Sequence, residues 1–153
     1  YWELAGFGRG RALKDWESLG IKLRKEKLEI DKNLYSTLLL PQGKRGPAFL
    51  AFENFEVYLK WNDSFIYTVT AAHLAERLGG AKKYKHNNPS DILDIEAMIK
   101  LQNVLRSKGY DVGKVDGILG AKTRQAVRLV QLEFGLSADS WPTKELLRKL
   151  LIN

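Results

Sequence analysis

Ala126, Val127, Val130 and Phe134 recur at three- and four-residue steps, which predicts a helix over residues 121–134 with one apolar face. The same spacing predicts helices over 94–107 and 144–152, the last capped by Thr143. Before the middle helix, Asp116 and Gly117 form a turn dipeptide: the carboxylate can accept backbone N–H bonds ahead of it, and glycine tolerates positive φ. Asp116 is therefore assigned to structure. Gly120 is expected as a permissive N-cap, with Ala121 opening the helix and the Thr123 hydroxyl bonding back into the turn.

Upstream the pattern is mixed. Leu13, Trp16 and Leu19 predict a short helix stopped by Gly20. Residues 21–32 alternate weakly among Lys and Glu, compatible with an exposed strand or with irregular surface. Residues 35–40 and 47–52 are β-favouring runs around a turn-rich break at 41–46, which predicts a hairpin with a longer loop. Asn54 is expected to cap a helix through Trp61. Ser64 is expected to cap the next, with Ile66, Val69, His73 and, less regularly, Leu74 and Leu78 on its buried side and Gly79-Gly80 at its end. Residues 81–91, polar and containing Pro89, read as a linker. The chain thus divides into 1–80, the linker 81–91 and 92–153; the last, about 60 residues, can fold alone as a compact helical unit.

Composition adds bounds. At 44% hydrophobic and 28% charged, the 153 residues belong to a globular protein, and no apolar run approaches a membrane span. There is no cysteine, so disulfides and thiolate metal sites are excluded. The first residue is Tyr1, and no signal peptide is visible, as expected of a fragment or a processed product. The net charge of +7 is uneven: 12 Lys/Arg face 10 Asp/Glu in residues 1–80, and 13 face 8 in residues 81–153. A basic second unit suits nucleic acid, an anionic surface or peptide carboxylates, and equally an ordinary solvated surface. Lys and Arg are scattered without a recognition helix, so nucleic acid is disfavoured. His73 and His86 are isolated, so no zinc site and no cofactor is expected. The loop from Asp111 to Gly117 has Gly113 and Val115 at calcium-ligand positions, and Lys122 where the bidentate Glu is required.

Leu101, Gln102, Leu105, Gly109, Tyr110, Val115 to Gly117, Gly120, Thr123, Ala126 and Gln131, then Gly135, Leu136, Asp139, Pro142 and Thr143, resemble in order and spacing the three-helix peptidoglycan-binding domain of bacterial cell-wall enzymes. Val130 stands where an aromatic is usual, and Ser140 where a glycine is usual. In the first region, Trp16 to Ile21, Leu38 to Pro41, Gly43, Gly46 to Leu50, Asn54, Phe55, Trp61 to Ser64, Tyr67, His73 to Arg77 and Gly80 resemble the C-terminal part of the catalytic domain of the membrane-bound lytic murein transglycosylase B family. The resemblance implies a mainly α fold: the tail of a lysozyme-like α+β domain with a β-hairpin, then a small three-helix peptidoglycan-binding bundle.

What the resemblance implies about chemistry is cleavage of the MurNAc–GlcNAc bond by one protonated Glu, with the sugar's C6 hydroxyl attacking C1 to give a 1,6-anhydro product. This differs from the usual pair of carboxylates, and the acid needs an apolar pocket to stay protonated. Glu17-Ser18 imitates the family's Glu-Ser motif, but its context matches a segment downstream of the catalytic one. The acid is expected upstream of this sequence, and the chain alone is expected to be inactive. By resemblance, Trp61, Asn62 and Tyr67 line the sugar site, with Ser64 beside them. Aromatic faces stack on sugars and an amide can bond an N-acetyl group, although core packing and turn bonds also use these residue types. Tyr110, Arg124 and Trp141 are candidate contacts of the second unit with peptidoglycan, as exposed aromatic and guanidinium groups. The expected location is the cell envelope or periplasm. A non-catalytic wall-binding or tethering protein is the competing reading; oligomeric state is not readable.

Overall fold

The computed structural model describes residues 2–24, 29–61, 64–84 and 92–152. Among them a 3-10 turn at Trp2–Leu4 leads to strand β1 (Arg11–Ala12) and helix α1 (Leu13–Ser18). Strands β2 (Tyr35–Leu39) and β3 (Phe49–Phe52) follow, then helices α2 (Glu53–Trp61) and α3 (Phe65–Leu78). The second unit holds α4 (Ile95–Ser107), α5 (Ala121–Glu133) and α6 (Lys144–Ile152). The strands form an antiparallel sheet in the order β1-β2-β3, with Ser36 opposite Phe52 and Leu39 opposite Phe49. The fold is mainly helical with this small sheet, and the expected hairpin is present.

Strand β2 is covered on both faces. Successive side chains of a strand point to opposite sides. Leu38 and Leu40 therefore join Ala5 and Trp16 in one cluster, while Leu39 joins Phe55 and Phe65 in another. The buried Trp16 indole N–H donates to the Ser36 carbonyl at 2.9 Å, which ties α1 to the sheet.

Helix α2 begins at Glu53, straight out of β3, so Asn54 lies inside its first turn and is not its cap. Ser64 does cap α3: its Oγ accepts the Tyr67 amide at 3.3 Å. The buried side of α3 is Phe65 and Thr68, flanked by Val69 and Ala72; Ile66, Leu74 and Leu78 are exposed, contrary to the expected stripe. Phe65 sets this rotation. Its ring packs edge-on against Phe7 with centroids 5.7 Å apart, and a helix with Phe65 inward turns Ile66 outward.

In the second unit Met98, Leu101, Leu105, Val127, Val130 and Leu146 share one core. Asp94 caps α4 by accepting the Ala97 amide at 2.8 Å, and the Thr143 hydroxyl accepts the Leu146 amide at 3.2 Å. Two buried glutamines hold the loops between the helices. Gln102 Oε1 accepts the amides of Asp116 (3.1 Å) and Gly117 (2.9 Å), while its Nε2 donates to the carbonyl of Ile118 at 3.0 Å. Gln131 repeats the arrangement one helix later: Oε1 accepts the Ser140 amide at 2.9 Å, and Nε2 donates to Asp139 Oδ1 at 2.8 Å and to the Trp141 carbonyl at 3.1 Å. Both loops turn through a left-handed residue after an aspartate, Gly117 at φ 77° and Ser140 at φ 61°. Ser140 thus adopts the conformation for which glycine is the usual choice, held there by Gln131.

Asp116 Oδ1 accepts the Ile118 amide at 2.9 Å, a turn bond of the expected kind. Asp116→Ala is expected to cost about 1–2 kcal/mol, as for a lost cap or charge-assisted bond, with peptidoglycan binding falling only as the folded fraction falls. Melting temperature and sacculus binding, measured together well below the melt, check this. An unchanged melt with binding lost would put Asp116 on the ligand instead.

Candidate functional site

The joint between α2 and α3 carries the exposed aromatics of the first unit. Trp61, the last residue of α2, is 77% exposed, and Tyr67 in the first turn of α3 is 53% exposed. Tyr58, also exposed, lies one turn before Trp61 on the same helix face. Two or three ring faces open to solvent at one helix joint are chemically suited to stacking on an extended, hydroxylated ligand. Ser64 sits between the helices as a cap, its hydroxyl oriented by the Tyr67 amide. Asn62 lies outside the described residues. Sequence reasoning missed Tyr58, although its i−3 spacing from Trp61 was the available signal.

No described Glu is buried. Glu17, the nearest imitation of a catalytic acid, is partly exposed and pairs with the Lys32 ammonium at the surface.

In the second unit the three candidate contacts separate. Tyr110 is half-buried against the core, and its hydroxyl donates to the Glu133 carboxylate. That bond, together with burial and the carboxylate's charge, pushes the phenol up to about 12. Arg124 and Trp141 are not exposed as expected: each is 7% exposed, Trp141 as part of the second unit's core and against Gly43, Arg124 by its contacts with the first unit. Arg124 Nη2 donates to the Pro41 carbonyl at 2.8 Å, and its guanidinium lies 4.7 Å from the Phe65 ring centroid and 5.8 Å from that of Trp141. Burial pulls Arg124 down to about 10, with Asp139 opposing, so the side chain remains charged at neutral pH.

Arg128, one turn further along α5, is 5% exposed and donates to the Glu3 carbonyl at 2.8 Å. Its pKa is lowered, first by burial and then by Arg9, with Glu3 opposing. The Asp139 carboxylate bonds outward as well, accepting the Lys44 amide at 3.0 Å through Oδ2. Gly43 is required at this contact: it has φ 68°, and a Cβ there would stand 2.5 Å from Trp141 Cβ. The two units therefore meet along α5. Between them runs a groove of about 440 Å³ lined by Phe7, Leu40, Phe65, Arg124, Arg128 and Asp139, among others. Its only sequence signal was the i, i+4 pair of arginines on α5. The former calcium-like loop is closed by an ion pair, Lys122 Nζ to Asp111 Oδ2 at 2.8 Å, and the Asp111 pKa is lowered chiefly by that lysine.

Residues 2–76 match the family described as "Transglycosylase SLT domain", and residues 95–150 match "Putative peptidoglycan binding domain". No curated protein sequence matches the chain. Among solved structures, the chain is similar to SltB3 from Pseudomonas aeruginosa in complex with NAG-anhNAM-pentapeptide, at 38% identity and a TM-score of 0.77, covering 98% of this chain and 41% of that one. The structure of SltB3 in complex with NAG-NAM-pentapeptide gives 37% identity and a TM-score of 0.76, covering 97% and 41%. The chain thus spans about two-fifths of the length of those structures. Segment by segment, the chain belongs to the lytic transglycosylase family of the SLT type over residues 2–76 and to the peptidoglycan-binding domain family over residues 95–150.

Proposed function

We propose that this chain is the wall-binding end, with part of the glycan cleft, of a lytic transglycosylase that cleaves the MurNAc–GlcNAc bond of peptidoglycan and forms 1,6-anhydroMurNAc. The observation that carries the reading is the exposed pair Trp61 and Tyr67 at the α2–α3 joint, within the segment that matches the transglycosylase domain. SltB3, similar over nearly the whole of this chain, is described with a NAG-NAM-pentapeptide bound. Trp61 and Tyr67 stack on sugar rings, and Asn62 supplies an amide to an N-acetyl or hydroxyl group. Ser64 sets the direction of α3 beneath them.

Every described Glu is at least partly exposed, and the part proposed for this chain is binding. Residues 92–153 supply the attachment to the wall, with Tyr110 as a candidate contact. The family matches support a place in the cell envelope.

Incubated with purified sacculi at low salt, the chain is expected to sediment with them and to release no 1,6-anhydromuropeptides detectable by mass spectrometry. Trp61→Ala and Tyr67→Ala should each weaken binding to soluble glycan fragments several-fold, as for a lost stacking contact of about 1 kcal/mol. A chain that remains in the supernatant would overturn the binding role. Anhydro products abolished by Glu17→Gln would return catalysis to that residue.

A further inference from the structure

The groove between the two units holds more positive charge than the protein neutralises. Arg124 and Arg128 are both more than nine-tenths buried, and neither forms an ion pair with an acid among the described residues. Each makes one hydrogen bond, through Nη2 to a backbone carbonyl, and the Nε of each is buried without a partner. Carboxylate pairing is the usual compensation for a buried guanidinium, and its absence is costly unless an anion arrives from outside. Asp139, the acid in the groove, is already committed through both oxygens to Gln131, Trp141 and Lys44.

A second feature of the same groove is independent of these side chains. Helix α5 runs for 13 residues, and its N-cap Gly120 supplies no side-chain bond, so its first amides are not capped. Ala121 and Lys122, the first two residues of that helix, line the groove beside the arginines. An uncapped helix start carries partial positive charge and free N–H donors, both of which favour an anion.

We propose that this groove binds a carboxylate, the free end of a short peptide. The guanidinium edges of Arg124 and Arg128 and the start of α5 hold the carboxylate, and Phe7, Leu40 and Phe65 accommodate the small apolar part next to it. A singly charged, planar anion fits better than phosphate, because the Asp139 charge opposes a dianion and apolar walls leave a third oxygen unpaired. That the peptide is a peptidoglycan stem rests on the proposed function; the carboxylate site itself does not.

The test is titration of the intact chain, following the arginine Nε–Hε signals by NMR and assigning them with Arg124→Lys and Arg128→Lys. The probes are N-acetyl-dialanine, its C-terminal amide, acetate and inorganic phosphate. The expected result is a saturable movement of both signals with the free dipeptide and at least tenfold weaker binding of the amide. Acetate moving the signals as strongly as the dipeptide supports the carboxylate site and identifies a small free acid as its source. Still signals with the free dipeptide, equal binding of the amide, or tighter binding of phosphate would each overturn the proposal. Sacculus sedimentation of the same sample separates the two readings. Sedimentation with silent arginines sinks the groove and leaves wall binding; arginine binding without sedimentation does the reverse.

Discussion

Gln102→Leu is expected to destabilise the second unit by about 3–4 kcal/mol, enough to leave a bundle of this size close to unfolded. The volume change is small; the lost bonds decide the effect. Gln102 is fully buried and its amide satisfies the backbone of the 114–118 loop in both directions: two N–H groups on one side, and the carbonyls of Lys114 and Ile118 on the other. The Thr123 hydroxyl lies 3.3 Å from the same amide nitrogen and donates to the Val112 carbonyl. Leucine leaves those partly buried groups without partners, at about 1 kcal/mol or more each. A denaturant melt of the chain followed by circular dichroism checks this. A loss below about 1 kcal/mol would mean that the loop is held by its own turn bonds.

Arg124→Ala is expected to loosen the two units from each other while leaving each folded. The side chain carries a hydrogen bond across 83 residues of sequence and lies over Phe65 from one unit and Trp141 from the other. Losing that bond and the ring contacts should cost about 2 kcal/mol of docking, net of the relief from removing an unpaired buried charge. The readout is local. Lys44 donates its amide to Asp139 across the contact, so its hydrogen exchange should accelerate by about 30-fold. The Gly117 amide, held by Gln102 inside the second unit, should not change. Acceleration at both amides would mean that Arg124 supports the bundle and not the docking.

Local chemistry explains which parts of this fold were legible in the sequence. Helix α6 occupies the residues expected, and α4 and α5 differ from expectation only at their ends, because helix starts are set locally: Thr143 and Asp94 each accept the amide three residues on, and Gly120 is a permissive N-cap. The hairpin was legible because its two apolar runs flank a turn-rich break. Helix α3 was placed correctly and rotated wrongly: Ile66, Val69 and His73 make as good a stripe as Phe65, Thr68 and Ala72, and the choice is made by Phe7, far away in the chain. Arg124 and Trp141 looked like surface residues for the same reason. Trp141 belongs to the second unit's own core, but the contacts of both with Pro41, Gly43 and Phe65 are ones that no spacing within the second unit can reveal. The aromatic joint was legible at Trp61 and Tyr67 through resemblance, and Tyr58 joined it only once the helix face was seen.

The joints inside the second unit and the joint between the units differ in their sensitivity to solution conditions. Gln102 and Gln131 are amides, which neither titrate nor attract counterions, and their bonds to backbone N–H and carbonyl groups are indifferent to salt and to acid. With no cysteine in the chain, disulfide chemistry does not reach them either. The contact along α5 depends on two guanidinium groups, whose environment any dissolved anion can alter. Ionic conditions therefore act on how the two units are held together before they act on the bundle itself.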